Sequence, residues 1–477
     1  MSGISVIQTH LSEKLRLLDE LGYSDLGMSY KYVGVHSNKD SRHSETHEDM
    51  RILDVIAVCL TTGKPGDVVA AAFDKREHLS LVLAKNGDVL PADYAAAQTF
   101  FSDLAAATGW TDLLPFLARH GKENLDKRIR NLHESITHFL DDLQSAIEKY
   151  PFGAVEKEFP QSRRYFEVRY PDRQPTVDRI LNDLIRTCID ESAFEIQDEK
   201  TSYIRFVQLI LSATILQRSL FLRELTSNSR YLAIKCRAER LERRLGKVCQ
   251  YMRIGGLIKR VRRLPSIPIR WVADTFTEMG EGRFELCEDP MEAVERVQEG
   301  ELTWDIDTIS KHYPRLRENW ARQRIINTCI HAEIRIILHL GRSMLSGSRT
   351  DFREAQQPIG CSKRSCLCCT LWINAFNDNT GMLWKTSGSH GKPYDDWALP
   401  GTAAEMEGVK GDLVNQRVIK DVDDRLTDQL DWVMRVNVKR TSDEFASSSS
   451  QSDASQDSDV KLLYNFVTRA RGARSKS

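Results

Sequence analysis

The chain has 477 residues, 41% of them hydrophobic and 28% charged, with a formal net charge of −1. That length predicts roughly two to four domains, and the near-zero charge excludes attraction to nucleic acid by overall charge, so any such surface must be a local patch. Ten cysteines in a chain this long do not make a disulfide framework, and no apolar stretch follows a basic start, so an intracellular protein of cytoplasm or nucleus is expected, without a secretory signal.

Residues 1–62 read as an N-terminal helical region. Leu11, Leu15, Leu17, Leu18 and Leu21 share a helix face, and Met50 to Leu60 supplies a second apolar helix. Gly63-Lys-Pro-Gly66 breaks that pattern. Within residues 63–90, Val68 to Phe73 and Leu79 to Leu83 read as two short strands joined by the charged turn Asp74-Lys-Arg-Glu77, and the second ends at Asn86-Gly87. From 91 to 320 the periodicity is almost wholly helical, with helices expected at 92–107, 124–149, 176–191, 200–224, 229–250, 289–299 and 316–342. The most apolar stretch, Tyr203 to Leu222, is interrupted by Arg205, Gln208, Gln217 and Arg218. A membrane span needs about 20 mostly apolar residues, so this reads as a buried helix and no membrane partner is expected.

Residues 230–270 are strongly basic, with Arg237, Arg240, Arg243, Arg244, Lys247, Lys259, Arg260, Arg262 and Arg263 opposed only by Glu239 and Glu242. Such a run is either a solvated helix face or a track for a phosphate backbone, which would make single-stranded DNA or RNA a partner. Residues 403–440 read as one or two C-terminal helices. Residues 441–477 form a tail, and Thr441 to Val460 holds eight Ser and five acidic residues with almost no apolar content. Such a segment cannot offset its ordering entropy and is expected to be disordered; a basic end follows.

Chemistry concentrates in residues 321–402. His331-Ala-Glu333 opens an apolar helical run, and Cys366-Leu-Cys-Cys369 follows, with Cys361 just upstream. His and Glu two apart point nearly opposite ways on a helix, so they serve one site only if it lies beyond the helix tip. Cys366 and Cys369, three apart, share a face in a first helical turn, where the helix dipole favours thiolate. One imidazole and two thiolates leave a tetrahedral zinc ion one open position, a catalytic pattern, because structural zinc is usually closed by four protein ligands. Glu333 beside it would shuttle protons, the H-x-E…P-C-x-x-C constellation of base deaminases, with Ser365 where the common form has Pro. A structural zinc site completed by Cys361 is the bland alternative. A rival H-x-E at His43-Ser-Glu45, beside His47 and Glu48, has no C-x-x-C at comparable distance and reads as a solvated loop.

The stretch from His331 to Pro400 resembles the OTT-like deaminase family, a branch of the zinc-dependent nucleic-acid deaminase superfamily spread through fungi and some bacteria. The resemblance rests on His331-Ala-Glu333, on Pro358-Ile-Gly360-Cys-Ser362-Lys363 leading into Cys366-Leu-Cys-Cys369, and on Gly388-Ser-His390-Gly391 with Trp397 and Pro400. Ser-Lys ahead of the cysteine pair is usual in this branch, so Ser365 is a trait of it. The resemblance implies an α/β, cytidine-deaminase-like fold, a mixed sheet sandwiched by helices, opened by the 63–90 hairpin. Residues 91–320 become a large all-helical insertion before the core resumes at 321–402. It also implies that His331, Cys366 and Cys369 hold Zn2+ and that Glu333 is catalytic. Asn86 then lies where related enzymes hold sugar or base, or is simply a turn residue. His390, Trp384 and Trp397 flank the expected pocket as substrate-binding candidates, or serve as a loop cap and core residues.

Three functions are open at this level. The first is a hydrolytic deaminase acting on a base in nucleic acid or on a nucleotide. The second is an inactive deaminase-fold scaffold with structural zinc. The third is a free nucleoside or small-metabolite deaminase, which has no use for a basic insertion. Sequence leaves the oligomeric state open.

Overall fold

The computed structural model describes residues 3–25, 28, 45–160, 162, 165–166, 170, 175–228, 232–261, 267–273, 280–297, 304–345, 356–405 and 411–444. His43 and Ser44 of the rival motif, the basic residues Arg230, Arg262 and Arg263, and the tail from 445 onward lie outside the described residues, whereas Glu45, His47 and Glu48 lie in the first turn of a helix, Glu45–Leu60, and not in the expected loop. The chain forms two compact units, one of Met1–Ala57, Val68–Val89 and Ile267–Ser477 and one of Val58–Asp67 and Leu90–Ser266.

The first unit is a mixed α/β body. Its five-stranded sheet has the order β3-β2-β1-β6-β7, with β1 Val69–Asp74, β2 Ser80–Lys85, β3 Ile269–Trp271, β6 Gln356–Cys361 and β7 Leu383–Thr386. The expected hairpin is present: β1 and β2 pair antiparallel from Val69↔Lys85 to Asp74↔Ser80. β6 lies antiparallel against the other edge of β1, while β3 and β7 run parallel to β2 and β6. A separate antiparallel pair joins β4 Gly282–Glu285 to β5 Ile325–Thr328.

Five helices surround this sheet: α1 Gly3–Glu20, α2 Glu45–Leu60, α3 Ala332–Leu345, α4 Leu367–Thr380 and α5 Gly411–Glu444. β1 is Val-Ala-Ala-Ala-Phe-Asp and buried throughout, as expected of a central strand covered on both faces. Its alanines let helices approach closely. Ala70 and Ala72 point into a core shared with Val82, Ala84, Ile359, Ile334 and Ile337, the face on which α3 packs. Ala71, opposite Gly360 and Leu83, points to the other face. There α2 presses so closely that a Cβ on Gly360 would lie 2.1 Å from the carbonyl carbon of Leu53. Asp54 of α2 accepts the Cys361 amide at 3.0 Å, fixing the end of β6.

The helical expectation for 316–342 fails. The chain forms a short helix Leu316–Arg322, then β5, then α3. In β5 Ile326 and Thr328 are buried and Ile325 and Asn327 exposed, but four residues are too few to separate period 2 from a helical apolar run. Likewise β3 and β4 fall in the stretch read as helical, and residues 267–320 belong to the α/β unit. Their strand character comes from pairing with sequence-distant partners, which no local pattern encodes.

In the second unit every regular element among the described residues is helical. The apolar 203–222 stretch is two helices, Lys200–Arg218 and Leu220–Ser227, bent by 55°. Ser219 makes the break and its hydroxyl accepts the Leu222 amide. Phe206, Leu209, Ile210, Leu216, Phe221 and Leu222 are buried within this unit. No single helix among the described residues is long and apolar enough to cross a membrane.

Replacing Gly360 with Ala forces α2 off the sheet. It should lower unfolding stability by about 1–3 kcal/mol or more, read as a lower urea midpoint. An unchanged midpoint would mean that the close approach of α2 is not a packing constraint.

Candidate metal centre

Two helix starts meet at one point. His331 precedes α3, and its carbonyl accepts the amides of Ile334 and Arg335 at 3.0 Å, as an N-cap does. Cys366 is the N-cap of α4, and its Sγ accepts the Cys369 amide at 3.4 Å. Across this junction His331 Nδ1 lies 3.6 Å from Cys366 Sγ and 3.3 Å from Cys369 Sγ. The three donor atoms lie within 4.8 Å of one another, all on buried residues, and form a cluster that could hold a metal ion. Cys361 and Cys368 are buried too, but neither belongs to the cluster. For Cys368 the reason is helical: it points away from the face shared by its neighbours at 366 and 369.

The electrostatics suit a cation. Burial pushes the Cys366 thiol up, but a hydrogen bond from Cys369 and the charge and hydrogen bond of His331 outweigh it, leaving this group lowered to about 6. Burial disfavours charge on His331, yet the Cys366 thiolate, Asp396 and Glu333 raise its pKa well above the usual value. Burial, then Cys366, then Glu333 push the Cys369 thiol up. The Cys366 thiolate is thus favoured beside His331, while the Cys369 thiol is held up by burial and by its neighbours. Binding a metal ion displaces the protons of its ligands.

Glu333 is the second residue of α3 and is 3% exposed. It contacts the cluster from the side of Cys369, whose thiol its carboxylate pushes up. Asn86, at the end of β2, does a definite job: its Oδ1 accepts the Ala332 amide at 2.8 Å and caps α3. On the outer side Glu281 accepts the Ile330 amide at 2.7 Å and pairs with buried Arg335, which also donates to the Ile330 carbonyl. The residue before His331 is thus held from both its own helix and a neighbouring loop.

Ser365 explains its own departure from the common motif. Its amide, which proline would lack, donates to Gly388 O at 3.1 Å, and its hydroxyl bonds Thr386 Oγ1 at 3.1 Å. His390 N donates back to Ser365 O at 3.1 Å, and Leu367 N to Lys392 O at 2.9 Å. The cysteine turn and the loop 388–392 are laced together.

The family model described as OTT_1508-like deaminase matches residues 330–401. Residues 330–401 are thus similar to an OTT-like deaminase domain. No curated protein and no solved structure matches the chain. The matched segment contains α3, β6, α4, β7 and the cluster, but not the central strand β1, its partner β2, or the Asn86 cap. Those come from the amino-terminal part of the same unit.

Of the other sequence candidates, His390 sits on the loop beside Cys366, its ring edge-on to Tyr394 with centroids 5.4 Å apart. Trp384 and Trp397 require correction: they are 1% and 0% exposed, packed in the core, and offer no face for stacking. The aromatic that does lie open beside the cluster is Tyr394, 40% exposed with its ring 6.4 Å from His331. Tyr394 is not among the residues that the motif singles out. Neither is Asp396, and its Oδ1 lies 3.9 Å from His331 Nε2. The parallel bridge between Cys329 and Trp397 brings that loop to the histidine.

Cys369→Ser should reduce bound metal from one ion per chain to a trace in elemental analysis, and Cys361→Ser should leave it at one. Loss of metal in the Cys361 variant would make the site a closed four-ligand one.

Proposed function

We propose that this protein is a zinc-dependent hydrolytic deaminase of cytidine-deaminase-like fold acting on an amine-bearing base carried by a nucleic acid or a nucleotide. The observation that carries this reading is the pairing of a three-donor cluster with a buried carboxylate at the same two helix tips. Zinc bound about 2.3 Å from sulfur and about 2.0–2.1 Å from nitrogen sets neighbouring tetrahedral S and N atoms about 3.5 Å apart. The separations of 3.3 and 3.6 Å bracket that spacing. His331 Nδ1 and the Sγ atoms of Cys366 and Cys369 would hold the ion. When bound, zinc supplies a Lewis acid that lowers the pKa of water toward about 7.

The chain's own groups do the rest. Glu333, fixed at the start of α3, would carry one proton of the attacking water to the ring nitrogen and then the second, from the hydroxyl formed on the ring carbon, to the amine, which leaves as ammonia while the carbonyl forms. Asn86 and the Glu281–Arg335 pair hold that helix start in place. Tyr394 supplies an exposed ring at the site for a base to stack on, and His390 flanks it. The basic helix Leu232–Cys249 supports a polyanionic carrier. Its buried stripe of Ala238, Leu241, Leu245 and Val248 turns Arg240 and Arg243 to solvent. Beside them, burial and the charges of Arg243 and Arg240 lower the pKa of Arg244.

Glu333→Ala should retain bound zinc yet lower ammonia release by at least about 100-fold, measured on single-stranded DNA, RNA and free nucleotides. Activity at the wild-type rate would remove the proton-shuttle role. Tyr394→Ala should weaken substrate binding by about 1–3 kcal/mol, seen as a raised KM. Tyr394→Phe should behave as wild type, since stacking needs the ring and not the hydroxyl.

A further inference from the structure

His331 turns Nδ1 toward the two sulfurs, which leaves Nε2 on the opposite edge of the ring. Facing that nitrogen at 3.9 Å is Asp396 Oδ1. The separation is too long for a direct hydrogen bond but within the range that one bridging water would span. Metal-bound imidazoles commonly donate their second N–H to a carboxylate, which fixes the tautomer and the ring angle. Here the proton would sit on Nε2 and the lone pair of Nδ1 would face the ion.

The carboxylate is not on a free loop. Cys329 N donates to Asp396 O at 2.9 Å, and Ala398 N donates to Cys329 O at 3.1 Å, tying this segment to the strand end that carries His331. From the other side α1 grips it. Arg16 pairs with Asp395 at 2.9 Å, with side chains only 13% and 19% exposed, and also donates to Asn319 O. Gln8, fully buried, donates to Trp397 O at 2.9 Å and accepts the Leu399 amide at 2.8 Å. Beyond the end of α1, Asp25 N donates to Gly391 O and Ser24 Oγ to His390 O. Gly391 has φ +62° and no room for a Cβ, which would meet Asp25 O at 2.3 Å.

We infer that Asp396 is a positioning residue that orients His331 toward the metal, and that α1, far outside the deaminase-matching segment, sets where this carboxylate stands. This rests on the reading that the cluster binds a divalent metal. The test uses the full chain with Co(II) as probe, reading thiolate-to-cobalt absorption and affinity by competition with a chromophoric chelator. Asp396→Asn should bind Co(II) about 10–100-fold more weakly than wild type, with unchanged far-UV circular dichroism. Arg16→Ala should weaken binding in the same direction by a smaller factor. Asp396→Asn folded and within twofold of wild type would overturn the orienting role. Arg16→Ala within twofold would overturn the part assigned to α1, and would decide the matter alone if Asp396→Asn failed to fold. A wild-type chain that binds no Co(II) would instead refute the metal reading itself.

Discussion

The meeting of two helix N-termini around His331, Cys366 and Cys369 is the constraint on which the rest depends. A helix start carries partial positive charge and unpaired amides, so it favours thiolates and carboxylates. Putting two of them together concentrates that effect on one small volume. The price of the arrangement is burial of ionisable groups, and the chain meets it by pairing: His331 with the sulfurs of Cys366 and Cys369, and Asn86 and Glu281 with the backbone at the α3 start. An isolated charge at that depth would be strongly disfavoured.

The sheet exists in this shape to bring those two starts together. β1 is almost all small residues, so α2 and α3 can lie close on its two faces. β6 then delivers the chain to the cysteine turn, and β7 delivers it to the loop 388–399 that returns past His331. The deaminase-matching segment supplies the chemical groups, while the amino-terminal hairpin and α1 supply the frame. A segment of 72 residues, 330–401, thus carries the recognisable motif while belonging to a larger compact unit. Its central strand neighbour is contributed by residues some three hundred positions earlier in the chain.

Ser365 illustrates how the frame and the motif are coupled. Proline at that position would stiffen the turn but could not donate a hydrogen bond. The serine amide and hydroxyl are both engaged with the β7 side of the site, so the turn's rigidity comes from lacing to a neighbouring loop. The same loop carries His390, Tyr394 and Asp396, and its bridge from Trp397 to Cys329 ties it to the segment leading into His331.

Local sequence was sufficient for the hairpin, because Leu79 to Leu83 alternates and a charged turn precedes it, and for the H-x-E and C-x-x-C helix starts, because helix caps and ligand spacing are short-range properties. It was sufficient too for the long helical stretch after Leu90, whose apolar periodicity is strong. It could not reveal β3, β4 or β5, three or four residues each, since such strands are made by partners distant in the chain. Nor could it separate Trp384 and Trp397 from Tyr394: all three are aromatic residues near the motif, and only packing decides which is sealed in the core and which faces outward. The nearness of Asp396 to His331 and the grip of α1 on that loop were decided by tertiary structure alone, because a contact between residues 16 and 395 leaves no trace in the local pattern of either.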